Sequence, residues 1–266
     1  MEIMSTPAVH TTSAAGSPTA EPALRITDLT FGYPEQKPLF EGFGLEVAAG
    51  SRFGLFGPNG AGKTTLMQLM TGLLTASQGS IRIFGEPVIR GHRRVNSLFG
   101  FIPQDLAFYE DLSPVENLTF FGAWSGLDRA TIRQRTRELL TILGLGEVRH
   151  KKVAQFSGGM KRRVNLAIGV IHQPRLLFLD EPTVGVDVQT RTAIVDYLKQ
   201  LNAQGMTLIY TSHQLGEAED LCNQVAMLDK GRIVAQDGLD NLLAAHRTDG
   251  LEGLFLQLTG KAFRDS

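Results

Sequence analysis

A single cysteine in 266 residues, Cys222, excludes an internal disulfide and suits a reducing compartment. It follows an apolar position in an expected helix and reads as a packing residue. No apolar run approaches the roughly 18 to 20 residues that a membrane-crossing helix needs, so any tie to a membrane has to pass through a partner. The net charge of −1 leaves no electrostatic footprint for a nucleic acid. Residues 1–22, rich in Ser, Thr, Ala and Pro, show no apolar periodicity and lack the apolar h-region of a secretory signal. They are expected to form a disordered tail. The length that remains suits one large α/β domain, or such a domain with an inserted lobe.

Glycine, by contrast, is plentiful, and one stretch places it informatively. Gly57-Pro58-Asn59-Gly60-Ala61-Gly62-Lys63-Thr64 fits the phosphate-loop pattern Gly-x-x-x-x-Gly-Lys-Ser/Thr. The glycines let the backbone approach a polyphosphate and turn successive N–H groups toward it. Lys63 adds a mobile positive charge, and Thr64 offers a hydroxyl to magnesium. An apolar strand precedes the loop, and a helical pattern with Leu66, Met67, Leu69 and Met70 follows it. Phosphates would therefore meet a helix N-terminus, and the chain is expected to bind a nucleoside triphosphate.

Strand and helix patterns alternate from Leu24 onward. Residues 24–31 and 44–47 read as edge strands, 52–57 as the strand entering the loop, and 80–84 and 98–102 as further short strands. A largely helical stretch is expected over about 105–171, opening on the capping box Ser113-Pro114-Val115-Glu116. Strands resume at 176–180 and 207–211, and Leu251, Leu254, Phe255 and Leu258 share one helical face near the end.

Four further constellations carry chemistry. The buried strand Leu176-Leu177-Phe178-Leu179 ends in Asp180-Glu181, and ligands of open α/β sheets sit at such strand ends. Asp180 is assigned to magnesium, and Glu181 to orienting or deprotonating the attacking water. Ser157-Gly158-Gly159 opens a helix and forms an anion site from a hydroxyl, N–H groups and the helix dipole. The Lys161-Arg162-Arg163 run behind it reads by default as a solvated face. His213 lies just past the 207–211 strand, where a γ-phosphate should sit. Gln104 follows Gly100-Phe101-Ile102-Pro103, where its amide could bind magnesium or position water. Taken singly, each of these also has a structural reading.

In order, the phosphate loop, Gln104, Ser157-Gly158-Gly159, Asp180-Glu181, Gly185-Val186-Asp187 and His213 resemble the ATP-binding subunit of an ABC transporter. The resemblance covers nearly the whole chain from about Leu24. It implies an α/β P-loop NTPase core with a parallel sheet, an antiparallel β edge and an inserted helical subdomain. The ATP-binding domain would span 23–246, its helical lobe about 105–171, and a short C-terminal helical extension 247–266. The ligands implied are ATP and Mg2+. Nucleotide contacts would come from Tyr33 (the adenine platform), Gly57, Pro58, Asn59, Gly60, Ala61, Gly62, Lys63, Thr64 and Thr65. Magnesium would fall to Thr64, Gln104 and Asp180, and catalysis to Glu181, His213, Lys63 and Gln104. Base–aromatic stacking of the Tyr33 kind is worth roughly 1–3 kcal/mol.

The family's Ser-Gly-Gly motif acts in trans, so Ser157, Gly158 and Gly159 would close over the γ-phosphate held by a second copy, with Asp187 communicating across the dimer. Loop 104–111 would pass closure to a separately encoded polytopic membrane subunit gripped by the helical lobe. The implied place is peripheral, on the cytoplasmic face of the cell membrane, with no nucleic-acid partner. One departure stands out: Phe156-Ser157-Gly158-Gly159-Met160 replaces the commoner Leu-Ser-Gly-Gly-Gln, so Met160 inherits no polar contact. Methionine with a basic run behind it resembles the branch that exports drugs, nodulation factors or polysaccharides. Residues 182–187 and the ending Leu254-Phe255-Leu256-Gln257-Leu258-Thr259-Gly260 also fit that branch. The leading expectation is an exporter motor. An importer motor would more often carry a longer regulatory C-terminal domain. A soluble ATPase acting on ribosomes or DNA would carry two cassettes or a coiled-coil insertion, and a small-molecule kinase would leave Ser157–Gly159 and His213 unexplained.

Overall fold

The computed structural model describes residues 21–212 and 214–260. Of the expected N-terminal tail only its last two residues fall within that range; His213 and residues 261–266 lie outside it. In chain order the elements are β1 (Leu24–Phe31), β2 (Phe40–Val47), β3 (Arg52–Phe56), α1 (Lys63–Met70), β4 (Gln78–Ile83), β5 (Glu86–Pro87), α2 (Arg93–Asn96) and β6 (Phe99–Ile102). Then come α3 (Pro114–Trp124), α4 (Arg129–Ile142), α5 (Gly158–Val170), β7 (Leu176–Asp180), α6 (Val188–Ala203) and β8 (Thr207–Thr211). The described chain closes with α7 (Leu215–Leu221), β9 (Gln224–Asp229), β10 (Arg232–Gly238), α8 (Leu239–His246) and α9 (Leu251–Thr259).

Two sheets form. One is antiparallel throughout, in the order β2-β1-β4-β5; the other runs β10-β9-β3-β8-β7-β6 and is parallel except where β10 pairs with β9. In the parallel sheet β7 and β8 are buried at every residue, which is why they read as unbroken apolar runs rather than as alternating ones. Leu176 and Phe178 face a core shared with α1 and the antiparallel sheet. Leu177 and Leu179 face a second core, against helices α3 to α9. Because β3, β6, β7 and β8 are parallel and in register, their carboxyl ends lie along one edge. That edge carries the phosphate loop, Gln104, Asp180-Glu181 and Thr211.

The structure corrects one sequence expectation here. β1 is not an edge strand: it pairs with β2 on one side and β4 on the other, and its alternating Leu24, Ile26, Leu29 and Phe31 are buried. The antiparallel portion is accordingly a sheet of its own. Cys222 follows Leu221 at the end of α7, as expected, and leaves the helix in an extended conformation; strands β9 and β10, which the sequence reading did not single out, follow. The apolar run 225–228 in β9 is too short for periodicity to separate strand from helix. The joining turn, Lys230-Gly231, has positive φ at both residues (46° and 74°), the geometry that tight hairpins prefer. Cys222 is buried as expected, and burial pushes its thiol well above the usual range. The capping box forms: Ser113 Oγ accepts from the Glu116 N–H at 3.3 Å, and the Glu116 carboxylate accepts from the Ser113 N–H at 2.8 Å.

Candidate functional site

The phosphate loop joins β3 to α1, and its geometry explains its glycines. Gly62, the N-cap of α1, has φ 107°, a region L-residues rarely adopt. At Gly57 the constraint is space, since a Cβ would sit 2.1 Å from the carbonyl oxygen of Leu228 on β9. α1 has no side-chain cap, so its leading N–H groups are left to a ligand. Lys63 is buried, and its Nζ donates to the carbonyls of Gly57 (2.7 Å) and Pro58 (3.3 Å). Burial lowers the Lys63 pKa, and the charges of Glu181 and Asp180 pull it back up.

An open cleft of about 590 Å³ spreads from this loop. Asn59, Gly60, Gly62, Lys63, Thr64 and Thr65 line it together with Tyr33, Gln104 and Glu181. The Tyr33 hydroxyl and Thr65 Oγ1 are 3.1 Å apart, and the Tyr33 ring meets Phe31 edge-on, so the half-exposed ring is held over the cleft. Gln36 and Lys37, which carry no motif, also line it.

At the end of β7, Asp180 and Glu181 are both buried. Thr211 Oγ1 donates to Asp180 Oδ1 at 2.7 Å, and the Glu181 N–H reaches both Thr211 Oγ1 and the Thr211 carbonyl at 3.2 Å. Glu181 has φ 50°, a left-handed conformation that costs a non-glycine residue about 1–2 kcal/mol. No residue of this edge belongs to a group of three or more His, Cys, Asp or Glu side chains placed to hold a metal among the described residues. The oxygen donors of Thr64, Gln104 and Asp180 are nonetheless the type a hard cation takes alongside phosphate.

Ser157, Gly158 and Gly159 are elsewhere. Ser157 caps α5 by accepting from the Met160 N–H at 3.3 Å; Ser157 and Gly158 are exposed and lie outside the cleft. Gly159 packs against Thr190 on α6, where a Cβ would meet Thr190 Oγ1 at 3.0 Å. Asp187 caps α6, accepting from the N–H and hydroxyl of Thr190 at 2.9 Å each, bonds that hold its carboxyl below the usual range.

The basic run behind Ser157 is not a solvated face. Lys161 pairs with Glu110 at 2.7 Å, and Arg163 donates to the Leu143 carbonyl at 3.0 Å. Arg162 is buried and reaches the Pro103 carbonyl at 3.5 Å, next to Gln104. Helix α5 is thereby tied to the Gln104 segment, a link no sequence pattern signalled.

The chain is similar to known proteins. A family model described as "ABC transporter" matches residues 40–184. The linearmycin resistance ATP-binding protein LnrL of Bacillus subtilis is 40% identical over 200 residues, 75% of this chain but 64% of that protein, so the match spans just under two thirds of its length. The Nod factor export ATP-binding protein I of Paraburkholderia xenovorans is 37% identical over 225 residues, 85% of this chain and 74% of that one. A solved ATP-binding subunit of an ABC transporter superposes with a TM-score of 0.82 at 30% identity, covering 89% of this chain and 99% of the other.

Proposed function

Because the chain belongs to the ABC transporter family, we propose that it is the ATP-hydrolysing motor of an exporter: two copies close over two ATP molecules and drive a separately encoded polytopic membrane subunit. The observation that carries this is the one-sided cleft. It supplies Tyr33 for a base, the loop and Lys63 for phosphates, and Glu181 for water, and among the described residues that line it none comes from the Ser157 start of α5. The exposed Ser157-Gly158 start of α5, outside that cleft, is the complementary half for a second copy. Among the described residues no helix is long and apolar enough to cross a membrane, which fits a motor peripheral to its partner on the cytoplasmic face. Relatives named for drug resistance and Nod factor export support the outward direction.

In this reading Lys63 exchanges its bonds to Gly57 and Pro58 for phosphate oxygens, and the N–H groups of α1 hold the same charge. Glu181 orients the attacking water, with its backbone pinned by Thr211. Thr64, Gln104 and Asp180 would hold Mg2+, which when bound neutralises charge on the phosphates. His213 follows β8 and would contact the γ-phosphate. Asp187 and Ser157 would meet the partner, and the Arg162–Pro103 bond would carry closure to loop 104–111. The ATP-binding domain would occupy 23–246, with the lobe at about 105–171 and an extension over 247–266.

The test is co-purification. Glu181→Gln, solubilised from membranes in detergent with ATP present, should bring down a polytopic membrane protein and no solute-binding protein. A solute-binding protein in the complex would turn the reading to import. Recovery only with ribosomes or DNA would overturn transport altogether.

A further inference from the structure

Glu217, on the first turn of α7, is a buried carboxylate with no part in the chemistry described above; its side chain is 5% exposed. A carboxylate taken that far out of water persists only when it is paired and hydrogen-bonded. Its partners come from three other elements. Thr183 Oγ1 donates to it (2.8 Å to Oε1, 3.0 Å to Oε2), in the turn two residues past Glu181. The Tyr210 hydroxyl donates to Oε1 from the middle of β8, and Tyr210 lies opposite Leu179 in the strand that leads to Glu181. Arg191 Nε, on α6, lies 3.6 Å from Oε2, and the Arg191 N–H bonds the carbonyl of Asp187 at 3.0 Å.

These positions surround one strained residue. The left-handed backbone of Glu181 is unfavourable and survives only where its surroundings over-determine it. Thr211 holds it from the β8 side through its N–H. On the other side the Glu181 carbonyl accepts from the Val184 N–H at 3.3 Å, and past Pro182 the first side chain to be gripped is that of Thr183, by Glu217. We propose that Glu217 is a positioning residue for hydrolysis: by clamping Thr183 to Tyr210 and Arg191, it fixes the turn that carries Glu181 and links it to the start of α6 behind Asp187 and to the helix that follows His213. This rests on the ATPase reading.

Four variants test it by ATP turnover, binding of a non-hydrolysable ATP analogue and melting temperature. Glu217→Ala and the isosteric Thr183→Val should each lower kcat about tenfold or more while the analogue's Kd stays within about twofold, a split that marks lost transition-state positioning. Thr183→Ser, which keeps the hydroxyl, should restore turnover. The Glu217→Ala/Thr183→Val double variant should lose little beyond Glu217→Ala alone, because that change already removes the contact Thr183→Val breaks. Near-wild-type kcat in Thr183→Val, or additive losses in the double variant, would overturn the proposal. So would a fall in analogue affinity matching the fall in kcat. If Glu217→Ala fails to fold, the Thr183→Val and Thr183→Ser pair still decides. Failure of the ATPase reading is distinguishable, since the wild-type protein would then not hydrolyse ATP at all.

Discussion

Two helices in this molecule, α1 and α5, open on glycine-bearing segments, and their N-termini are finished differently. α1 starts from a left-handed Gly62 with no side-chain cap, inside a cleft that already holds Lys63 and Glu181. α5 starts from Ser157, whose own side chain caps it, on an exposed surface away from that cleft. In the proposed function the first holds a polyphosphate within one chain, and the second meets the phosphate held by another copy. On the proposed reading, one copy binds nucleotide and needs the face of another before hydrolysis.

Substitutions in the two halves have different expected effects. The largest effect is expected from Glu181→Gln: a general base typically contributes about 10² to 10⁴ in rate, so turnover should fall by that order while equilibrium ATP binding persists. Next is Ser157→Ala, on the other half. A hydrogen bond to a charged group is worth about 1.5–3 kcal/mol, so kcat should drop about tenfold to a hundredfold with ATP affinity of the single chain unchanged. Because Ser157 also caps α5, the melting curve is read alongside and should show a cost of about 1 kcal/mol. Tyr33→Ala should weaken nucleotide affinity by about 1–3 kcal/mol, with Tyr33→Phe keeping the ring and most of the affinity, by titration with a fluorescent ATP analogue. The smallest effect contrasts two glycines. Gly57→Ala drives a Cβ to 2.1 Å from Leu228 O and should cost about 1–3 kcal/mol in urea unfolding. The nearest atom to a Cβ at Gly158 is 3.7 Å away, so Gly158→Ala should fold as the parent does.

Much of the nucleotide half was legible because its chemistry is local. Gly57 to Thr64 must be consecutive to wrap phosphate, and Asp180-Glu181 must end a buried strand. The capping box at Ser113 and Glu116 was legible for the same reason. What was missed is held by distant partners. β1 reads as an edge strand until β4 pairs with it from some fifty residues on. β9 is a short apolar run whose identity comes from lying beside β3. Arg162 looked solvated because a basic run hides which member turns inward to Pro103. Glu217 sits in an ordinary acidic helical stretch, and only packing brings Thr183, Tyr210 and Arg191 to it. The residue-by-residue roles drawn from the family resemblance remain proposals for the variants above.

The most direct test of the two-copy site mixes two inactive proteins. Lys63→Ala keeps an intact Ser157 face and Ser157→Arg keeps an intact phosphate loop, so only a mixed dimer restores one complete site. ATP hydrolysis that is absent in either protein alone and appears on mixing is the expected result. Silence of the mixture, with mixed dimers shown to form, would contradict a site completed by the second copy.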